Sequence, residues 1–206
     1  MAHVPLDHER SGLVPRLARR YTKRRFGRMV EPAAAAAHHS GVLLAMGTLE
    51  TAVQLGWKKL DPTLRWLALQ ATSMQIGCSW CVDYGYYEGM NGGVEAAKVR
   101  AVAAWRSSDL FDARERVVLE YAEVATGSPA EVSEELAARL RVHLSDAEFV
   151  ELAAWVALEN MRSRFNAGLG LRSQGFSDSC DITGRHGGEA DARVVSASTD
   201  ARTAVA

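Results

Sequence analysis

Two of the three cysteines of this 206-residue chain, Cys78 and Cys81, lie two residues apart. The N-terminal residues lack the apolar core of a secretory signal, so we expect the protein to stay in the cytoplasm, where such a pair is more typical of redox or metal chemistry than of a structural disulfide. If a helix begins in the turn at residues 77–79, both sulfurs lie near its positive end, which favours a thiolate. The spacing therefore predicts two thiols that can oxidise to a disulfide and be reduced again.

The same cysteines leave two other interpretations open. A zinc ion held by Cys78, Cys81, Cys180 and a histidine is one of them, although the second closely spaced ligand pair of a structural zinc site is missing. A pair of buried, inert thiols is the other. We expect no metal and no cofactor. We interpret Cys180 as an unconstrained cysteine of the C-terminal segment, with a role as a third redox thiol as the alternative.

The charge is distributed unevenly, although 24 basic and 25 acidic residues give a net charge of −1. Residues 1–30 contain eight Lys or Arg against two acidic residues, a net of +6, which leaves −7 for the remainder. Apolar residues at Leu13, Leu17 and Tyr21 predict a helix with a basic back. We interpret this arm as docking on the protein itself or on a partner subunit, in preference to an anionic membrane surface. Nucleic acid is not expected as a partner, because no nucleic-acid-binding motif accompanies the arm.

Helical signals follow the arm and lead to the cysteines. A helical stripe runs from Pro32 to a stop at Gly56, with Gly41 and Gly47 as candidate breaks. Asp61-Pro62 is a helix start, with the aspartate as the N-cap, and this helix delivers the chain to Cys78.

Further helices are predicted beyond the cysteines, and the sequence contains no alternating run of strand length. Asp112 caps one helix, and Ser145 with Glu148 forms a capping box that opens a long final helix. Residues 177–206 are rich in small and polar residues and predict a mobile tail. We therefore expect an all-α protein with a basic arm at 1–30, a helical domain at 31–176 and a tail at 177–206.

Three segments carry a resemblance to a known family. The helix from Asp61, the turn Ile76–Asp83 and the segment Asn160–Asn166 resemble the carboxymuconolactone decarboxylase / alkyl hydroperoxidase D family, and the segment from Arg24 to His39 is similar to its longer bacterial members. The resemblance implies an AhpD-like helical bundle that assembles into a trimer or hexamer. It also implies that Cys81 attacks a hydroperoxide or other small-molecule oxidant, that Cys78 resolves the product into a disulfide, and that a thiol reductant restores the pair.

The peroxidase members of that family carry a histidine four residues after the second cysteine and a glutamate twelve residues before the first. This chain has Gly85 and Trp66 at those positions. We expect the glycine to leave an open gap that could admit Glu88, Tyr84, a water molecule or a bulkier substrate. Candidates for the missing proton relay or for the pocket are Glu88, His39, Tyr84 and Asp83.

Three functions are consistent with these observations, and the first is favoured. It is a thiol oxidoreductase of the peroxidase or disulfide type. The second is acid–base chemistry of the lactone decarboxylase type, which would survive removal of the cysteines. The third is a non-catalytic helical binding or regulatory protein whose thiols are inert.

Overall fold

The computed structural model describes residues 2–6 and 12–179, and these residues form helices and turns without a strand. The predicted all-α class is confirmed. The predicted tail beyond Ser179, with Cys180, lies outside the described residues. The helices are α1 (Leu13–Phe26), α2 (Glu31–Ala36), α3 (Ser40–Gly56), α4 (Pro62–Ile76), α5 (Ser79–Asn91), α6 (Ala96–Ala101), α7 (Ala113–Thr126), α8 (Glu134–His143) and α9 (Asp146–Gly168), with 3₁₀ helices at Val102–Ser107 and Ser177–Ser179.

The described residues divide into two compact units. One contains the chain up to Lys58 together with Asn166–Arg172, and the other contains Lys59–Phe165 together with the chain from Ser173 onward. Within residues 2–6 and 12–179, no helix is both long and apolar enough to cross a membrane.

Helix α4 is the centre of the second unit and packs against α5 and α7. Its side chains are buried on almost every face, among them Leu64, Leu67, Ala68 and Ala71. A helix that is buried all round has no solvated stripe and lies inside its domain. The chain thus reaches the cysteines from the most enclosed helix of the unit.

Local sequence signals fix the ends of the helices that position the cysteines. Asp61 Oδ1 accepts hydrogen bonds from the backbone N–H groups of Thr63 and Leu64, at 2.8 and 3.2 Å, and so begins α4 as predicted. At the start of α9, Ser145 Oγ accepts from the N–H of Glu148, whose carboxylate accepts from the N–H of Ser145. This is the reciprocal arrangement of the predicted capping box.

One predicted break was placed wrongly. The chain interrupts the stripe between α2 and α3 at residues 37–39, and neither Gly41 nor Gly47 breaks α3. The cause is His39, whose Nδ1 accepts a hydrogen bond from the N–H of Val42 at 3.2 Å and caps α3. A side chain that satisfies a free N–H group starts a new helix more effectively than an isolated glycine ends one.

In the first unit, α1 packs against α2 and α3. Its apolar stripe faces outward, because Leu13, Leu17 and Tyr21 are 71%, 56% and 66% exposed. The buried side chains of this helix are Pro15 and Thr22 instead. The stripe therefore does not dock on its own unit, and docking on another subunit stays a prediction.

Candidate functional site

The cysteine pair lies where α4 ends and α5 begins. Gly77 ends α4 in the left-handed conformation, with φ of 77°, which glycine adopts at little cost. Cys78 is then the N-cap of α5, and its Sγ accepts a hydrogen bond from the N–H of Cys81 at 3.3 Å. Neither residue forms a disulfide. The predicted helix start thus places Cys78 at the positive end of α5 and Cys81 one turn further on.

The two thiols share a hydrogen bond, and this bond separates their acidities. The Cys81 thiol donates to Cys78, and together with the Cys81 N–H it holds the pKa of Cys78 below its usual value despite burial. The same hydrogen bond, burial and the negative charge of Glu159 raise the pKa of Cys81. When the pair loses one proton, the negative charge therefore rests on Cys78 and the other proton stays on Cys81.

A buried carboxylate lies beside the pair. Glu159 is on α9, and its Oε1 accepts hydrogen bonds from Ser163 Oγ at 2.7 Å and from Ser73 Oγ at 2.9 Å. Ser163 is fully buried, and hydrogen bonds from its side chain lower the pKa of both thiols. A continuous set of polar groups thus joins the cysteines to Glu159 inside the second unit.

Arg162 balances the charge of this carboxylate. Its Nη1 lies 3.4 Å from Glu159 Oε2, and its guanidinium lies 5.8 Å from the ring centre of Trp155. Arg65 of α4 lies over the same indole at 5.3 Å. A cation beside a buried carboxylate reduces the cost of keeping it ionised.

The two positions that the resemblance reserves for a glutamate and a histidine contact each other here in another way. Trp66 Nε1 donates a hydrogen bond to the carbonyl of Gly85 at 2.7 Å. The indole also lies against Gly89, where a Cβ atom would meet Trp66 Cε2 at 2.6 Å. Where the peroxidase members have a glutamate and a histidine, this chain therefore has the indole of Trp66 packed against two glycines of α5.

The expected gap at Gly85 is absent. A Cβ atom at this position would overlap the side-chain oxygen of Gln70, which is only 1% exposed. Gln70 Nε2 donates to the carbonyl of Val82 at 3.3 Å, which fixes the amide across α5. The prediction of an open gap was wrong because a buried amide from α4 already occupies this space.

Glu88 and Tyr84 lie one turn apart on α5 and are joined by a hydrogen bond of 3.0 Å between Tyr84 Oη and Glu88 Oε1. The side chain of Glu88 is exposed, yet protein surrounds it closely enough for desolvation to raise its pKa. The Tyr84 hydroxyl and the charge of Arg162 oppose that rise. Glu88 thus keeps contact with solvent although burial disfavours its charged form.

The other two candidates have clear structural roles. His39 caps α3 in the first unit, as described above. The buried carboxylate of Asp83 accepts hydrogen bonds from the backbone N–H groups of Gln174, Phe176 and Ser177 at 2.8–3.0 Å, and another from Ser177 Oγ at 2.7 Å. These bonds lower the pKa of Asp83 against the effect of burial. Asp83 thus holds the chain after α9 against the cysteine helix.

Aromatic rings cover the outer part of this helix. Trp80 stacks on Tyr84 with ring centres 5.3 Å apart, and Phe176 contacts both rings edge-on at 5.9 and 5.5 Å. Trp80 Nε1 donates a hydrogen bond to Gln174 Oε1 at 2.8 Å. The segment held by Asp83 therefore contributes Phe176 to an aromatic cluster on α5.

Metal binding finds no support in the described part of the chain. No three His, Cys, Asp or Glu side chains come together there as metal ligands. The zinc alternative relied on Cys180, which lies outside the described residues.

Sequence reasoning missed Glu159 and Ser163. A signal for them was present, because they continue the helical spacing of Leu152 and Val156, which are 0% and 2% exposed. Polar residues at core positions of a helix need partners, and the partners here include Ser73 and the thiols.

Fold and site define an all-α protein with a Cys-x-x-Cys pair at the start of an internal helix. The sequence model of the carboxymuconolactone decarboxylase family matches residues 41–124. The uncharacterised protein YnjA of Escherichia coli K12 is 35% identical over 127 residues, which cover 59% of this chain and 70% of YnjA. The chain therefore belongs to the carboxymuconolactone decarboxylase family.

Solved structures show the same fold. The debrominase Bmp8 has a TM-score of 0.70 at 22% identity, with 79% of this chain and 87% of Bmp8 covered. An uncharacterised peroxidase-related protein from Ralstonia eutropha JMP134, described as an AhpD core, has a TM-score of 0.70 at 20% identity, with 84% and 95% covered. The predicted AhpD-like fold is confirmed.

Proposed function

We propose that this protein is a thiol-dependent oxidoreductase in which Cys78 and Cys81 together supply two electrons to a small-molecule oxidant. The observation that carries the proposal is the placement of Cys78 at the N-terminus of α5, where its Sγ accepts a hydrogen bond from the Cys81 N–H at 3.3 Å. A thiolate is the nucleophilic form of cysteine, and a second thiol within hydrogen-bonding distance can close a disulfide with it. Membership of the family supports peroxidase-related or decarboxylase-type chemistry in general, without a particular substrate.

Exposure supports Cys81 as the attacking thiol. Cys81 is 7% exposed against 1% for Cys78, so an oxidant that enters from solvent reaches Cys81 first. Cys78 keeps the negative charge and serves as the resolving thiolate. These roles, with Cys81 attacking and Cys78 resolving, are the ones that the family resemblance implies.

The reaction with a hydroperoxide balances as follows. Cys81 sulfur bonds to the terminal peroxide oxygen as the O–O bond breaks, which gives a sulfenic acid and an alcohol. Cys78 thiolate then attacks that sulfur, its S–O bond breaks, and water leaves. One thiolate, one thiol, one hydroperoxide and one proton from solvent give a disulfide, an alcohol and water. A thiol reductant then restores both cysteines.

A halogenated aromatic compound is a second candidate oxidant. The aromatic cluster of Trp80, Tyr84 and Phe176 favours it, since offset or edge-on ring contacts stabilise a flat guest. Bmp8, which has the same fold, is a debrominase, and a variant of it in which alanine replaces a cysteine forms a complex with 2,3,4-tribromopyrrole. In this case thiol, thiolate and aryl bromide give a disulfide, the hydrogen-substituted ring and bromide, without a further proton.

We also propose that the protein is a homo-oligomer. Four apolar side chains of α3 and three of α1 are exposed, and all of them belong to the first unit. They are Val42, Leu44, Leu49 and Leu55 on α3, and Leu13, Leu17 and Tyr21 on α1. An apolar surface of this kind is typical of a subunit interface. Light scattering on a size-exclusion column tests it, and a monomer that stays soluble at high concentration would contradict it.

The thiol proposal is tested by counting free thiols in the reduced native protein before and after one equivalent of tert-butyl hydroperoxide. We expect the loss of two thiols per chain. Cys81→Ser should abolish that loss, whereas Cys78→Ser should stop at a Cys81 sulfenic acid that dimedone traps. Cys180→Ser is the matched control and should behave as the unmodified chain does.

Two outcomes would contradict the proposal. Thiols that stay reduced with the hydroperoxide, and equally with a brominated pyrrole, would favour the non-catalytic binding protein. Turnover of a lactone substrate by a variant that lacks both cysteines would favour the decarboxylase alternative.

A further inference from the structure

We infer that Ser163 and Glu159 of α9 form the proton relay of the cysteine pair, in place of the glutamate and histidine that Trp66 and Gly85 replace. The inference rests on the proposed thiol function and deepens it. Ser163 is the bridging hydroxyl and Glu159 is the group that holds the proton.

The chemistry of the pair requires a proton acceptor other than Cys78. Cys81 must lose its proton when its sulfur attacks, and its nearest acceptor is the Cys78 thiolate. A proton placed there would neutralise the sulfur that has to attack in the second step. A separate acceptor keeps Cys78 anionic throughout the cycle.

Geometry supplies that acceptor. The Ser163 hydroxyl donates to Glu159 Oε1 at 2.7 Å, and hydrogen bonds from its side chain lower the pKa of both thiols. The same carboxylate oxygen accepts from Ser73 Oγ, and the backbone carbonyl of Ser73 accepts from the Cys78 N–H at 3.1 Å. The Cys81 proton can pass to Ser163 Oγ while the Ser163 proton passes to Glu159, which leaves the serine unchanged. When the O–O bond breaks, Glu159 gives the proton back to Ser163, and the proton of the Ser163 hydroxyl passes to the leaving alkoxide, which becomes the alcohol. No atom is gained or lost in these two transfers.

Residues 159, 162 and 163 share one face of α9, because positions three and four apart lie on the same side of a helix. Ser73 of α4 holds Glu159 Oε1 from the opposite side at 2.9 Å. The carboxylate therefore has a fixed orientation, which a group that transfers a proton in the transition state needs.

The charged groups near Glu159 extend as far as the exposed side chain of Glu88. Arg162 lies 3.4 Å from Glu159 Oε2. The charges of Arg162 and Arg65 also act on Glu88, whose exposed carboxylate is bonded to Tyr84. The side chain of Glu88 is exposed, and we assign to it the entry of the one solvent proton that peroxide reduction consumes.

Glu159→Gln separates this role from a simple charge effect. The negative charge of Glu159 raises the pKa of both thiols, so its removal should increase the thiolate fraction and speed alkylation by iodoacetamide. Alkylation needs a thiolate but no proton relay. Disulfide formation with tert-butyl hydroperoxide should instead slow by roughly 100-fold, the usual lower range of general acid–base catalysis. The glutamine keeps the size and the oxygen acceptor for both serines.

A second variant and a matched control complete the test. Ser163→Ala removes the bridge but not the charge, so oxidation should slow and its dependence on pH should flatten, while the alkylation rate should not rise. Glu120→Gln removes a carboxylate that pairs with Arg139 at the surface and should change neither rate. Circular dichroism of each variant establishes that it is folded.

The outcomes distinguish the relay from the function on which it rests. If the unmodified chain forms no disulfide with the hydroperoxide, the proposed function fails and the relay fails with it. If the unmodified chain reacts and Glu159→Gln accelerates both oxidation and alkylation, Glu159 acts only through its charge and the relay is refuted. Unchanged oxidation in Ser163→Ala refutes it as well.

Discussion

Gly85→Ala should destabilise this protein, although the same change in an ordinary helix is stabilising. Alanine is favoured over glycine by about 1 kcal/mol inside a helix. At Gly85, however, the new Cβ overlaps the side-chain oxygen of Gln70, which is buried and bonded to the carbonyl of Val82. Overpacking of this kind costs about 1–3 kcal/mol, so the helix gain is cancelled or exceeded.

Gly47→Ala is the matched control, because Gly47 lies inside α3, is exposed, and has no atom within 4 Å of its added Cβ. We expect this variant to gain about 1 kcal/mol. The difference between the two alanine variants should therefore be about 1–3 kcal/mol in the free energy of unfolding. Urea denaturation followed by circular dichroism measures it.

A double-mutant cycle identifies the cause. In a Gln70→Ala background the clash is removed, so Gly85→Ala should become favourable by about 1 kcal/mol, as it is at Gly47. The reasoning is refuted if Gly85→Ala is as stabilising as Gly47→Ala in the unmodified chain. It is also refuted if truncation of Gln70 leaves the effect of Gly85→Ala unchanged.

Two further predictions concern groups beside the pair. The folded-state pKa of Asp83 is lowered, so its contribution to stability is complete well above its ordinary pKa of 3.8 and is lost as the pH falls through the lower folded value. Asp83→Asn should lower the free energy of unfolding at pH 7 and weaken its decrease toward acidic pH. Tryptophan fluorescence during urea unfolding at several pH values measures both effects. An equally steep loss of stability at acidic pH in the variant would disprove the prediction. Ser79 Oγ is buried without a hydrogen bond among the described residues, so Ser79→Ala should stabilise the protein by about 1 kcal/mol in thermal unfolding, and a loss of stability would show that the hydroxyl has a partner.

The helix starts of the second unit were predictable because their signals are local. Asp61 with Pro62, Ser145 with Glu148, and Gly77 before Cys78 each act within four residues. The break at His39 was harder, since the cap forms only in one orientation of the imidazole ring. A run of alanines before it gave no sign that the helix would stop.

The relay could not be predicted by the same means. Glu159 follows Cys78 by 81 residues, and only the packing of α9 beside α4 and α5 brings its carboxylate to the thiols. The side chain that fills the space at Gly85 was equally impossible to predict. A glycine in the sequence indicates that a Cβ is missing, but it does not indicate which neighbouring side chain occupies the space. Here the neighbour is Gln70, at a buried position of α4.

The packing of Trp66 on Gly89 and of Gln70 on Gly85 also constrains how the site can be redesigned. A histidine at 85 cannot be introduced before the amide at 70 is shortened, and a glutamate at 66 removes the indole that covers Gly89. Each of these changes made alone produces a clash or a cavity. Variants with only one of the two substitutions, glutamate or histidine, are therefore less stable than the unmodified protein. Libraries aimed at that chemistry should vary positions 66, 70, 85 and 89 together, because a one-at-a-time screen would discard every useful intermediate.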